Sequence, residues 1–121
     1  MSLPLSLNCI VLGDDSSHVF TIEVDGTKNV STLKELIKDK NNPTFHQIPA
    51  HALKVFRVSF PDDDGLDATL EHFRPEHDPQ NGVYLLSRPM KEVQEVIGDP
   101  PRKHLHIVVE RADSGKFGRL L

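Results

Sequence analysis

Hydrophobic positions recur along the chain with two different periods. Residues 5–12 are rich in Leu, Ile and Val and stop at residues 13–18, where Gly, Asp and Ser favour a turn because they tolerate or locally hydrogen-bond bent backbone. Over residues 18–24 the alternation is strict. Phe20, Ile22 and Val24 point one way and Val19, Thr21 and Glu23 the other, as a half-buried strand requires. The period then lengthens. Across residues 30–40, Val30, Leu33, Leu36 and Ile37 share one helical stripe, with Lys34, Glu35, Lys38 and Asp39 opposite. Asn29 or Ser31 is placed to cap this helix, and Pro43 ends it by disfavouring helical backbone at Asn42.

Short period returns over residues 52–60, but here both faces are half apolar: Leu53 and Val55 against Phe56, Val58 and Phe60. A bulge near Phe56 or Arg57 would reconcile the two faces, and so would a strand covered on both sides. Residues 61–67 read as a turn leading into a helical turn from Leu66 to Phe73, and residues 74–82 as a loop with its turn signal at Asn81 and Gly82. A short strand at 83–86 precedes a small helix over 88–98 that carries Met90, Val93 and Ile97 and stops at Gly98, with Pro100 and Pro101 beyond. In the last strand, Leu105, Ile107 and Val109 share a face. The order strand, strand, helix, strand, small elements, strand predicts an α+β fold of β-grasp type. Its first and last strands lie parallel at the centre of a mixed sheet of four to five strands, packed on one main helix.

The chain's 121 residues suit one domain. Residues 1–111 are assigned to it and residues 112–121, which lack any pattern, to a flexible tail. With 14 basic and 18 acidic side chains the net charge is −4, which argues neither a nucleic-acid footprint nor a polybasic membrane patch. Charge is locally uneven: Asp62, Asp63 and Asp64 form an acidic turn, whereas Arg102, Lys103, Arg111, Lys116 and Arg119 make the last twenty residues basic. The apolar start lacks a basic leading region and is interrupted by Pro4, Ser6 and Asn8, so it reads as a strand with no clear signal peptide. No segment approaches the roughly 18 uninterrupted apolar residues of a membrane span.

Candidate chemistry is sparse. His104 and His106 fall on one face of a strand and could form half of a metal site, but no Cys pair or Glu-x-x-His supplies the rest, so they read as polar positions on a solvated face. His46 and His51, like His72 and His77, are five apart and read as loop histidines. Asp62, Asp64 and Glu71 fail the calcium-loop pattern, since Leu66 and Asp67 stand where it needs an oxygen ligand and Gly. Cys9 cannot pair internally, and a thiol inside an apolar strand has its reactive thiolate disfavoured by burial. No Gly-rich phosphate loop is present. The inventory calls for no catalytic residue, no metal and no cofactor.

Three blocks carry a resemblance: "LNCIVLGDDSSHVFTIEVDGTKNVSTLKELIKDKN", "LKVFRVSFPDDD" and "PPRKHLHIVVER". In this order, from Leu5 to Arg111, they resemble the N-terminal header of Crinkler effector proteins in the form carried by fungi, and the helix with its two preceding strands looks like ubiquitin-type β-grasp domains. The resemblance implies a ubiquitin-like, non-enzymatic header that precedes a separate toxin-like domain. Such proteins are delivered from oomycetes or fungi into host cells, often to the nucleus, so it implies a secreted, host-cell location. Oomycete members carry a translocation motif of the form Leu-x-Leu-Phe-Leu-Ala-Lys. The matching stretch here is Leu53, Lys54, Val55, Phe56, Arg57, Val58 and Ser59, with the last three residues of the motif replaced.

With one helix closing one side of the sheet, the other side is expected to be free. It would form an interaction face bearing Asn8, Ile10, His104, His106 and Val108 for a protein partner from host or self, and a homodimer through an exposed strand edge is the alternative. Ubiquitin-like conjugation is not expected, since the sequence contains no Gly-Gly pair.

Overall fold

In the computed structural model, which describes residues 4–41, 48–98 and 100–110, five strands form one mixed sheet. Strands β1 (Pro4–Val11) and β2 (Phe20–Asp25) make an antiparallel hairpin around a single 3-10 turn, and α1 (Val30–Lys40) follows. Next come β3 (Lys54–Pro61), the six-residue α2 (Leu66–Glu71), β4 (Tyr84–Leu85), the short α3 (Val93–Ile97) and β5 (His104–Glu110). The strand order is β2-β1-β5-β3-β4, with β1 parallel to β5 and every other pairing antiparallel. The β-grasp expectation, with first and last strands side by side at the centre, is thereby met.

Helix α1 forms where the sequence places it, because its caps and its stripe agree. Asn29 accepts from the Thr32 N–H at 2.9 Å, satisfying one of the donors that a helix start leaves orphaned, and the Asn41 side-chain amide donates to the Ile37 carbonyl at 2.8 Å. Val30, Leu33 and Ile37 are fully buried against Leu7, Cys9, Ile22, Val24, Val55, Ile107 and Val109 on the near face of the sheet. Pro43, the expected stop, lies outside the described residues.

The far face is not free, and this corrects the sequence expectation. Ile10, Phe56, Val58, Leu105 and Val108 project there and are covered by Leu66 of α2 and by Val83, with Leu70 and Phe73 packed at the margin. Phe73 meets Phe56 and Phe60 edge-on, at centroid distances of 6.0 and 6.1 Å. Residues 62–83 thus act as a second roof, and the sheet is buried on both sides. Both proposed resolutions of the β3 pattern hold together: the strand is covered on two faces, and its register against β5 shifts between Arg57 and Phe60.

A second correction concerns residues 88–98. The helix starts at Val93, not before Met90, because residues 89–92 are spent on α1. The Pro89 and Lys91 carbonyls accept from the Ser31 and Val30 N–H groups at 3.1 and 2.9 Å, and Glu92 is the extended cap residue, boxed with Glu95. Met90 is left 88% exposed on the turn instead of packing. Gly98, with φ of 69°, turns the chain out of α3 in backbone that other residues rarely adopt.

Replacing Leu33 or Ile37 by Ala should each cost about 2–5 kcal/mol, against about 0.5 kcal/mol or less for Lys38→Ala on the outer side of the same helix. Urea unfolding midpoints at unchanged m-value will measure both.

Candidate interaction surface and the seam beneath it

The five residues expected to display an interaction face separate into two groups. Ile10 and Val108 have no exposed surface because the second roof lies over them, and His106 has only 4%. They are core, not contact residues. Asn8 and His104 are half-buried.

What these residues build is a polar seam. Backbone register between β1 and β5 is limited to Cys9 with Ile107, Ile10 with Val108 and Val11 with Val109. Towards the start of β1, side chains take over. The Asn8 N–H donates to His106 Nδ1 at 3.0 Å, and the Asn8 side-chain amide donates to the His104 carbonyl at 2.8 Å. Thr21 completes the line by donating its hydroxyl to Asn8 Oδ1 at 2.9 Å. The other ring nitrogen of His106 lies 2.6 Å from the Pro101 carbonyl, and a carbonyl only accepts. His106 is therefore the neutral Nε2–H tautomer, with Nδ1 standing where a strand carbonyl would be. Leaving a half-buried backbone N–H such as that of Asn8 unmet costs about 1–3 kcal/mol, which is why a histidine is accommodated in an otherwise apolar strand. Both ring nitrogens are engaged by backbone, so His104 and His106 do not pair as ligands. No group of three or more His, Cys, Asp or Glu that could hold a metal ion occurs among the described residues.

The stretch from Leu53 to Ser59 that matches the translocation motif lies on β3 and the turn before it. Leu53, Val55, Phe56 and Val58 are buried, while Lys54 and Ser59 are exposed and Arg57 is half-buried. The leucine and phenylalanine positions of the match are therefore core, and its accessible chemistry is confined to the replaced positions and Lys54. Arg57 belongs to a cluster that pattern reading missed: its guanidinium lies 5.2 Å over the Tyr84 ring, and His77 meets that ring edge-on at 6.1 Å. His77 Nδ1 also accepts from the Leu85 N–H at 3.0 Å, capping the short outer strand β4. The available signal was the Asn81–Gly82 turn, which folds residues 77 and 84 back together through the Asp78–Val83 bridge.

Two open clefts flank the second roof. One, about 640 Å³, has Phe60, Phe73 and Val83 among its lining with His72, Arg74 and Glu76 around it. The other, about 560 Å³, is lined by Leu12, Leu70 and Phe73 with Asp14, Asp15, Asp67 and Glu71. Hydrogen bonds from the Ser17 hydroxyl and His18 ring, ahead of one from the Ser17 N–H, hold the Asp15 carboxyl below its ordinary value, and Asp67 accepts from the N–H and hydroxyl of Ser16 at 2.8 and 3.0 Å. His72 caps the end of α2 and His77 lies in the loop before β4, while His51 sits in a 3-10 turn over residues 50–52 and His46 is outside the described residues. Cys9 is fully buried, and burial pushes its thiol far above the ordinary value of 9.0. No helix among the described residues is long and apolar enough to cross a membrane.

With the geometry in place, comparison with known proteins gives a consistent picture. Residues 5–110 match the family model described as Crinkler effector protein N-terminal domain. Crinkler effector protein 1 of Rhizophagus irregularis is 27% identical over 120 residues, covering 98% of this chain and 24% of the relative. The chain spans about a quarter of that protein's length. No solved structure matches.

Cys9 should resist iodoacetamide in the native protein and react fully in denaturant. Its raised thiol also fixes a sign: the unfolded chain loses the proton first, so stability should fall as pH rises above 9.0, and Cys9→Ala should flatten that part of the stability-against-pH curve.

Proposed function

The chain belongs to the Crinkler effector N-terminal domain family, and from that membership we propose that it is a non-enzymatic header serving secretion or delivery into a host cell and recognising a protein partner. The carrying observation is the extent of the match. Residues 5–110 take in all five strands and all three helices, so the family relation concerns this whole folded unit and not a fragment of it. The Rhizophagus relative is about four times as long.

Burial of the motif-matching stretch supports delivery that depends on the folded header rather than on a linear signal. Side chains at Leu53, Val55, Phe56 and Val58 are inaccessible to a receptor while β3 is paired between β5 and β4. The partner is a protein rather than a nucleic acid, in keeping with the net charge of −4. Its contact surface lies on the outer layers, where Tyr84 and Met90 are the exposed large apolar side chains among the described residues. The host nucleus is a destination consistent with this role.

One observation favours a second reading, self-association. Strand β2 is six residues long and stands at the edge of the sheet, a position whose outer backbone groups can template pairing with another strand. Light scattering coupled to size exclusion over a range of concentrations decides it, and a mass fixed at one chain would end this reading.

For the leading reading, residues 1–111 are removed from a full-length relative and secretion and host uptake of the remainder are followed. Both should be lost. They should also be lost with the core variant Leu33→Ala, yet survive a Lys54→Ala, Arg57→Ala, Ser59→Ala triple variant. Unchanged delivery of the truncated protein would refute the proposal.

A further inference from the structure

We propose that two copies of this chain join edge to edge through antiparallel β2 strands in a single register, with Ile22 of each copy at the two-fold axis. This rests on the self-association reading and commits it to one partner and one set of pairs.

The outward backbone groups of β2 are fixed by the ladder behind it. The Asn8 and Leu12 N–H groups both point at β5, donating to His106 Nδ1 at 3.0 Å and to the Val109 carbonyl at 2.7 Å. Residues of β1 in step with them, Ser6 included, therefore turn their backbone away from β2. Asn8 stands opposite Thr21 and Ser6 opposite Glu23, so these are the pairs of the hairpin without mutual hydrogen bonds. The N–H and carbonyl of Thr21 and of Glu23 consequently face out of the sheet, and none of the four meets a backbone partner among the described residues. At the two ends of the row, groups are already taken: the Val19 N–H donates to the Ser16 carbonyl at 3.4 Å, and the Asp25 carbonyl accepts from Lys28 at 2.9 Å.

This edge is also unguarded. Strand β2 runs six residues in unbroken register with β1 and carries no Lys or Pro, whereas β4 at the opposite edge is two residues long. A two-fold axis perpendicular to the sheet keeps each face continuous, so opposed residues must come from the same face. Thr21 against Thr21 sets Glu23 against Val19, whose N–H is occupied. Glu23 against Glu23 opposes like charges and sets Thr21 against Asp25, whose carbonyl is occupied. With Ile22 against Ile22, Thr21 of each copy faces Glu23 of the other, and each of these two pairs exchanges both backbone hydrogen bonds. No like charges meet, and half-buried Phe20 gains Val24 of the second copy as an apolar neighbour. The strand is thus its own complement. A seam this short falls below the roughly 1,000 Å² of a stable complex, so the dimer is weak and reversible.

The test uses the whole chain at concentrations up to about 1 mM, the range of a weak association. Light scattering should show a mass rising from one chain towards two. Thr21→Cys and Glu23→Cys proteins, mixed in a glutathione redox buffer, should form a disulfide between unlike variants and none when either is alone, since the opposed Cα atoms are about 5.5 Å apart and like positions are out of reach. Thr21→Lys, which sets Lys against Glu23 twice, should tighten association about twofold to thirtyfold. Thr21 and Glu23 are exposed, and circular dichroism will verify that the variants keep the fold. A dimer in which either cysteine variant links to itself, or which Thr21→Lys weakens, would overturn the register while leaving self-association standing. A wild-type mass fixed at one chain over the whole range would end both.

Discussion

The structure depends on β5 being buried on both sides. Five successive residues of this strand, Leu105 to Val109, lie inside the protein, paired on one flank with β1 and on the other with β3. A strand so placed cannot face water with either row of side chains, so two layers must cover it. The helix α1 supplies one layer and residues 62–83 the other. The remaining features follow as adjustments. The register shift in β3 lets its apolar side chains serve both layers, and α3 packs as an extension of the first core while its leading turn supplies carbonyls to the start of α1.

Most of the first layer was legible in the sequence, because it obeys one period at a time. Phe20, Ile22 and Val24 alternate, Val30, Leu33 and Ile37 recur at helical spacing, and both patterns survive folding unchanged. The second layer was signalled too, but by a feature that alternation counting discards. Cys9-Ile10-Val11, Val55-Phe56 and Ile107-Val108-Val109 are consecutive apolar residues on the three central strands, and a run without alternation is what two-sided burial requires. Reading Leu105, Ile107 and Val109 as one inner row made the opposite row look like an exposed platform, whereas only Ile107 and Val109 face α1 and Leu105 packs with Val108 on the far side.

The seam was out of reach for a different reason. A histidine between apolar neighbours reads as an outward polar position, and nothing local distinguishes it from one that replaces a missing carbonyl. The partner of the Asn8 N–H is a ring 98 positions away, and that ring is itself held by the Pro101 carbonyl just ahead of β5. The Arg57, Tyr84 and His77 cluster is equally non-local, assembled by a turn whose residues say where the chain bends but not what it brings together. Family membership, by contrast, was carried by the order of three blocks that supply β1, β2, α1, β3 and β5, the framework itself.

Parallel placement of β1 and β5 also fixes how the unit responds to traction. Pro4 at the start of β1 and Glu110 at the end of β5 lie at opposite poles, roughly 26 Å apart by eight steps of about 3.3 Å along the ribbon. Tension on the two flanks therefore slides the central ribbons lengthwise, straining their cross-links simultaneously instead of peeling them one after another. Any pore or motor that threads this polypeptide by its flanks would grip it across its most shear-resistant direction.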